Sequence, residues 1–277
     1  MVKKYTGERL ETYIYSKSTI DHLHRYAIAS KFIKDKIVLD IASGEGYGSN
    51  LMSNDAAFVY GVDIDKTTVT NAQLKYKKDN LKFLIGNTSA IPLENDSVDI
   101  VISFETLEHH NEHNEMMLEI KRVLKSSGML IISTPDKLTY SDKRNYNNEF
   151  HVKELYKQEF KDMIAGHFEN YQLLNQSYIN GNSVILDEKN ESEAIFFTGD
   201  YSLLKEINVD SLYLIILASN VILNKINMSI FDGGKVLKLN TEDTISRKIY
   251  DSNSYRMGHF ILLPFKFLKK FYKNISR

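Results

Sequence analysis

The sequence predicts an α/β protein built on a mostly parallel sheet with helices on both faces. Three observations predict it. Runs that are apolar almost throughout, such as "KIVLDI" and "VDIVISF", recur along the first half of the chain. A strand that is apolar on both sides must be covered on both sides. Helical periodicity fills the intervals between those runs, and the first run opens into a glycine-rich turn, "ASGEGYGS".

The elements follow in order. In "TIDHLHRYAIASKFI" (19–33), Ile20, Leu23, Ala27, Ile28 and Phe32 fall on one helical face. "KIVLDIASGEGYGS" reads as strand, glycine turn and helix. "FVYGVDID", "LKFLIGN", "VDIVISF" and "GMLIISTPD" are the second to fifth strands, with helices at about 66–78 and 114–125 between them. In the latter helix Met116, Met117, Ile120, Val123 and Leu124 make one apolar face. Beyond residue 140 the rhythm loosens. "HVKELYKQEFKDMIAGHF" (151–168) is a helix candidate, "YQLLNQSYI" and "LYLIILAS" are further strands, and the polar stretch 182–211 reads as an insertion. This gives an N-terminal helix over 1–34, a main domain over 35–223, and an extension over 224–277 ending in a basic amphipathic segment.

Composition narrows the function. With 277 residues and a net charge of −1, nothing in the charge balance argues for nucleic acid as a partner. The chain has no cysteine, which removes disulfides, thiolate catalysis and Cys-ligated zinc. The basic start "MVKK" has no apolar run behind it, and "LYLIILASNVIL" (212–223) is too short to span a bilayer. A cytoplasmic protein is expected.

After the first strand, closed by Asp40, come Gly44, Gly46 and Gly48. Glycines there let backbone approach a ligand and turn into a helix whose first amides are unpaired. The second strand ends in "GVDID", placing Asp63 or Asp65 about 20 residues on, where a carboxylate accepts ribose hydroxyls. Asn87 and the amide of Thr88, after the third strand, are placed to read the edge of an adenine. The spacing G-E-G-Y-G departs from the G-x-G-x-x-G of dinucleotide folds.

From Asp40 to about Pro135 the chain resembles class I S-adenosylmethionine-dependent methyltransferases. "LDIASGEG" is similar to their cofactor loop, with Ala42 at the usual first glycine. "GVDI" is similar to the ribose-binding motif, "GNTSAIPLENDSVDIVIS" to the third-to-fourth-strand segment with Asn87 for the usual Asp, and "LKSSGMLIISTP" to the fifth strand. The resemblance implies a Rossmann-like, seven-stranded, mostly parallel sheet whose antiparallel last strand is "LYLIILAS". It implies S-adenosylmethionine as cofactor, held by Asp40, Ala42, Gly44, Gly46, Asp63, Ile64, Asn87, Thr88 and Ser103. It assigns the ribose to Asp63 rather than Asp65.

The segment "SFETLEHHNEHNE" (103–115) follows the fourth strand, where the methyl group is delivered in this fold. Oxygen methylation needs the acceptor's proton removed, by a general base, a metal, or both. The E-x-x-E-H of Glu105, Glu108 and His109, joined by His151 of "NEFHVKELY", resembles the metal motif of small-RNA 2′-O- and catechol O-methyltransferases. Oxygen-rich ligands with imidazole suit Mg²⁺ or Mn²⁺. Without a metal, the same residues leave His109 and Glu105 as the catalytic pair and His109 as the base. His110 and His113 read as a solvated helix face.

Across 6–181, segments including "TGERL", "DHLHRYAIA" and "FHVKELY" resemble methyltransferases of bacterial surface-polysaccharide (O-antigen, capsule) biosynthesis. That implies a sugar hydroxyl of a glycan or nucleotide sugar as acceptor, and a lid helix carrying His22, His24, Arg25 and Tyr26. The alternatives are a small-molecule O- or N-methyltransferase, as on a quinone precursor, and a non-catalytic cofactor-binding regulator. In the tail, Phe265, Leu268, Phe271, Tyr272 and Ile275 share one helical face and Lys266, Lys269, Lys270 and Lys273 lie off it. This suits peripheral contact with an anionic inner-membrane face or a glycosyltransferase complex.

Overall fold

The computed structural model describes residues 10–253 together with Tyr255 and Met257. Five parallel strands form one side of the main sheet: β1 (Ile37–Ile41), β2 (Phe58–Asp63), β3 (Leu81–Ile85), β4 (Val98–Phe104) and β5 (Leu124–Pro135). The other side holds β6 (Asn170–Ile179), β7 (Asn182–Asp187), β10 (Tyr213–Ser219) and β11 (Met228–Asp232). A separate hairpin of β8 (Phe196–Gly199) and β9 (Leu204–Ile207) lies outside that sheet. The sheet order is β11-β7-β6-β10-β5-β4-β1-β2-β3, with β10 antiparallel to both β5 and β6.

Seven of these nine strands, β3 through β6, reproduce the expected sheet, and "LYLIILAS" is its antiparallel strand. Of the two additional strands, β7 and β11, the first corrects the reading of 182–211 as an irregular insertion. Asn182–Asp187 is a buried strand paired with β6 across the two-residue turn Asn180–Gly181. Both turn residues have positive φ, 46° and 89°, the geometry that Asn-Gly favours in tight hairpins. Only the stretch after Asp187, a short 3-10 turn and the hairpin, departs from the sheet.

Helices α1 (Lys17–Ala29), α2 (Tyr47–Met52), α3 (Lys66–Lys75), α4 (His113–Val123) and α5 (Lys157–Ala165) cover the sheet. Alternate residues of one strand feed two apolar layers. Leu39 and Ile41 pack with Met116, Met117, Ile120, Phe160 and Ile164 of α4 and α5. Val38 packs with Tyr26, Ile28 and Ala29 of α1 and with Val69 and Ala72 of α3. The N-terminal helix is therefore a wall of the core as well as a cover. Contacts divide the chain after Gly233 rather than at 223, because β11 belongs to the sheet. The second unit begins with α6 (Gly234–Asp251). The amphipathic face at 265–275 lies outside the described residues, and among those described no helix is long and apolar enough to cross a membrane.

Successive strands run outward from β1 to β3 in one direction and through β4 to β5 in the other. The crevice where the order reverses lies outside the carboxyl ends of β1 and β4, the place where open α/β sheets bind ligands. Asp40 and Ser103 end up there on paired strands, since Ile41 is opposite Ser103.

Candidate active site

The turn after β1 is built from left-handed residues: Ala42 (φ 58°), Gly44 (54°) and Gly46 (90°). At Gly46 a Cβ would stand 2.7 Å from the Phe83 ring, so both its φ and its neighbour demand glycine. At Gly44 nothing lies within 4 Å of a Cβ position, and its φ leaves backbone beside open space. Asp63 anchors this loop. Its Oδ2 accepts from the Gly44 amide at 2.9 Å and its Oδ1 from the Asp65 amide at 2.9 Å. Asp65 is the N-cap of α3, accepting from the Thr67 amide, and this separates the two acids by role. Ile64, beside Asp63, is 66% exposed.

These residues fit the adenosyl cofactor that the resemblance implies. Ser43 Oγ and Ser103 Oγ, on either side of the crevice, are buried without a hydrogen-bond partner, a cost that a polar ligand relieves. The exposed Ile64 offers an apolar face beside Asp63. Asn87 Oδ1 accepts from the Ser89 amide at 3.2 Å and from Thr88 Oγ1 at 3.2 Å, which shapes the turn after β3.

Asp40 lies beneath the loop, 2% exposed, with Ser49 Oγ donating to its Oδ2 at 2.6 Å. Burial pushes its carboxyl up to about 7, against the Ser49 bond and with the help of nearby Asp63. The sign follows from linkage. An acid with a raised folded pKa binds its proton more tightly when native, so its contribution is complete below about pH 4 and is lost as pH rises through 7. The thermal midpoint of the ligand-free protein is expected to fall between about pH 5 and 8, and Asp40→Asn to flatten that fall. Parallel melting curves for the two proteins would contradict this.

At the end of β4 the chain makes a sharp departure. Glu105 stands at φ 52°, held by Ser133, whose Oγ donates to Glu105 Oε1 at 2.7 Å. Leu107–His109 form a single 3-10 turn rather than the first turn of a helix, and α4 starts only at His113. The turn sends the side chains of Glu105, Glu108 and His109 to different neighbours. Glu108 is buried, accepts from Thr134 Oγ1 at 3.2 Å, and its backbone carbonyl takes the amides of Val152 and Lys153. Burial, then the charge of Glu105, push its carboxyl well above the usual range. His109 Nδ1–H donates to the carbonyl of Phe150 at 2.9 Å. A carbonyl can only accept, so the neutral ring carries its lone pair on Nε2.

His151 comes beside His109, with ring centres 5.3 Å apart and perpendicular. Its Nδ1 donates to Glu154 at 2.5 Å and its Nε2 accepts from Asn148 Nδ2 at 2.9 Å. Ligand atoms of Glu108, His109 and His151 all lie within 4.8 Å of one another. Glu105, the fourth residue of the expected set, is not among them. Its Oε1 is 3.2 Å from Arg25 Nη1. His113, expected on a solvated face, is buried and its Nε2–H donates to the Leu107 carbonyl at 2.7 Å, tying α4 to the turn.

Sequence reasoning missed Ser133, Gln176 and the Phe150 carbonyl, which orient Glu105, Arg25 and His109. Only Arg25 carried a signal, as part of a polar helix face. On α1 it is fully buried, its Nε donates to Gln176 Oε1 at 2.7 Å, and its guanidinium lies 4.4 Å over the Tyr213 ring. Of the helix's other polar residues, His22 Nδ1 meets Tyr47 Oη at 3.0 Å and His24 Nε2 meets Ser229 Oγ at 2.9 Å.

Comparison with known proteins agrees with this geometry. Residues 39–132 match the family model described as a methyltransferase domain. A probable S-adenosylmethionine-dependent methyltransferase of Mycolicibacterium smegmatis is 34% identical over 46% of this chain and 49% of its own. A ubiquinone biosynthesis O-methyltransferase of Pelagibacter ubique is 29% identical over 44% of this chain and 52% of its own. The chain thus spans about half the length of the curated relatives it matches. Among solved structures, a SAM-dependent methyltransferase from Archaeoglobus fulgidus superposes with a TM-score of 0.54 at 16% identity, over 73% of this chain and 93% of that one. Residues 39–132 are thus similar to a methyltransferase domain, and the chain shares the Rossmann-like α/β fold of the solved methyltransferase.

Proposed function

We propose that the protein is an S-adenosylmethionine-dependent O-methyltransferase acting on a sugar hydroxyl of a surface glycan or nucleotide sugar, with His109 as general base. The observation that carries the reading is the tautomer of His109. Its Nδ1–H donates to the Phe150 carbonyl, which in the neutral ring puts the basic lone pair on Nε2, the nitrogen that takes the proton in this reading. S-adenosylmethionine, when bound, supplies a methyl group on a sulfonium for in-line transfer. The chain's own part is to hold the nucleoside with Asp63, Gly44 and Ile64 and to remove the acceptor's proton with His109. Glu105, fixed by Ser133 and Arg25, is placed to accept a hydrogen bond from a neighbouring hydroxyl. Tyr140, Asn148, His151 and Glu154 line the same end with polar groups, which supports a polyol over an apolar ring. In the same reading the basic amphipathic tail brings the enzyme to the inner membrane face or to a glycosyltransferase complex.

A second reading, a phenolic small-molecule acceptor, is favoured by the likeness to the ubiquinone-pathway enzyme. Radiolabelled methyl transfer from S-adenosylmethionine separates the two. Nucleotide sugars and glycans made by neighbouring genes are expected to be labelled, and catechols not. Labelling of catechols alone would install the second reading. No labelling of any acceptor by protein that binds the cofactor tightly would leave a binding protein without catalysis.

A further inference from the structure

The end of β4 gathers most of a divalent-cation site and then commits its fourth member elsewhere. Glu108, His109 and His151 converge, but Glu105 Oε1 already receives Ser133 Oγ and lies 3.2 Å from Arg25 Nη1. The guanidinium is held by the Gln176 amide oxygen, by the Tyr213 ring and by Glu105 itself. Its Nη2 is buried with no hydrogen-bond partner, so it retains a donor for an oxygen entering beside Glu105.

The geometry points to Arg25 as the resident cation of this site. Its guanidinium stands 3.2 Å from Glu105 Oε1, keeps a divalent ion from recruiting that carboxylate to the Glu108, His109 and His151 set, and holds the carboxylate toward the acceptor. A metal–carboxylate bond of about 2.1 Å would put a dication within roughly 5 Å of the guanidinium, in an interior that screens like charges poorly. Arginine cannot yield by losing its proton as a buried lysine does. His151 gives further resistance, since both its ring nitrogens are engaged by Glu154 and Asn148. The inference rests on reading the β4 end as the site of methyl transfer. Its test measures ion binding, so it can fail while that reading stands.

Manganese alone is the probe, titrated into cofactor-free protein and followed by electron paramagnetic resonance of free Mn²⁺. Wild type is expected to show no saturable site up to about 1 mM. Arg25→Met, shown to be folded by circular dichroism, is expected to gain one site at least roughly tenfold tighter, since removing a buried partner leaves Glu105 uncompensated. Adding Glu105→Gln to that variant should abolish the gain, and Arg25→Lys, whose buried amine can give up its proton, should show a smaller gain than Arg25→Met. A saturable micromolar site in wild type that Glu105→Gln weakens would overturn the inference, as would a folded Arg25→Met without any gain. If Arg25→Met does not fold, the wild-type and Glu105→Gln titrations decide. Silence in both, with methyl transfer untouched by EDTA, sustains it, and binding lost with Glu105 ends it.

Discussion

Asp63→Ala is expected to weaken S-adenosylmethionine binding by about 1.5–3 kcal/mol, roughly ten- to hundredfold, because a hydrogen bond to a charged group is lost. The residue is 4% exposed and closes two amide contacts, to Gly44 and to Asp65. Its loss therefore frees the loop as well as removing the ribose acceptor of the proposed cofactor site. These two effects separate in the variant Asp63→Asn. The amide retains one acceptor oxygen for the loop but no charge, so it should recover melting temperature before it recovers affinity. Calorimetry that finds Asp63→Ala as tight as wild type would remove Asp63 from the cofactor site and return the assignment to the neighbouring acid, Asp65.

His109→Ala is expected to lower the turnover of methyl transfer by about 10²–10⁴-fold, the usual contribution of a positioned general base. Cofactor affinity should not change, since His109 belongs to the 3-10 turn after β4 rather than to the glycine loop. His109→Gln, which can still donate to the Phe150 carbonyl but cannot take a proton, should be as inactive as alanine. A glutamine variant near wild-type turnover would show that the residue only packs or orients. Loss of cofactor affinity in both variants would place it in the wrong half of the crevice.

Much of the fold was written locally. The apolar runs of β1, β2, β4 and β5 and the period of α4 need no partner to be recognised, because period and burial go together. The glycine loop was equally local, since positive φ at Gly44 and Gly46 is a property of the chain itself. The hairpin into β7 had a local signal that the reading of 182–211 as an insertion passed over. Asn180–Gly181 is a strong two-residue hairpin signal, and the polar composition of the residues that follow hid it. The end of the main unit was not legible, because β11 is only five residues long and none of them is buried, so its apolar Met228, Ile230 and Phe231 mark no covered face.

By itself the sequence determined the apolar runs of the strands, the glycine loop between Asp40 and Asp63, and the presence of Glu105, Glu108 and His109 after β4. What each of those three does was decided only by tertiary structure. His109 takes its tautomer from a carbonyl 41 positions away, and Arg25 is oriented by Gln176, 151 positions away. A backbone carbonyl has no sequence signature, and a guanidinium on α1 gives no local sign that it will pair with an acid just after β4. Periodicity reports which face is buried, but the pairing of buried polar groups follows from where separate elements meet. Packing assigns Glu105 to Arg25 and His109 to Phe150.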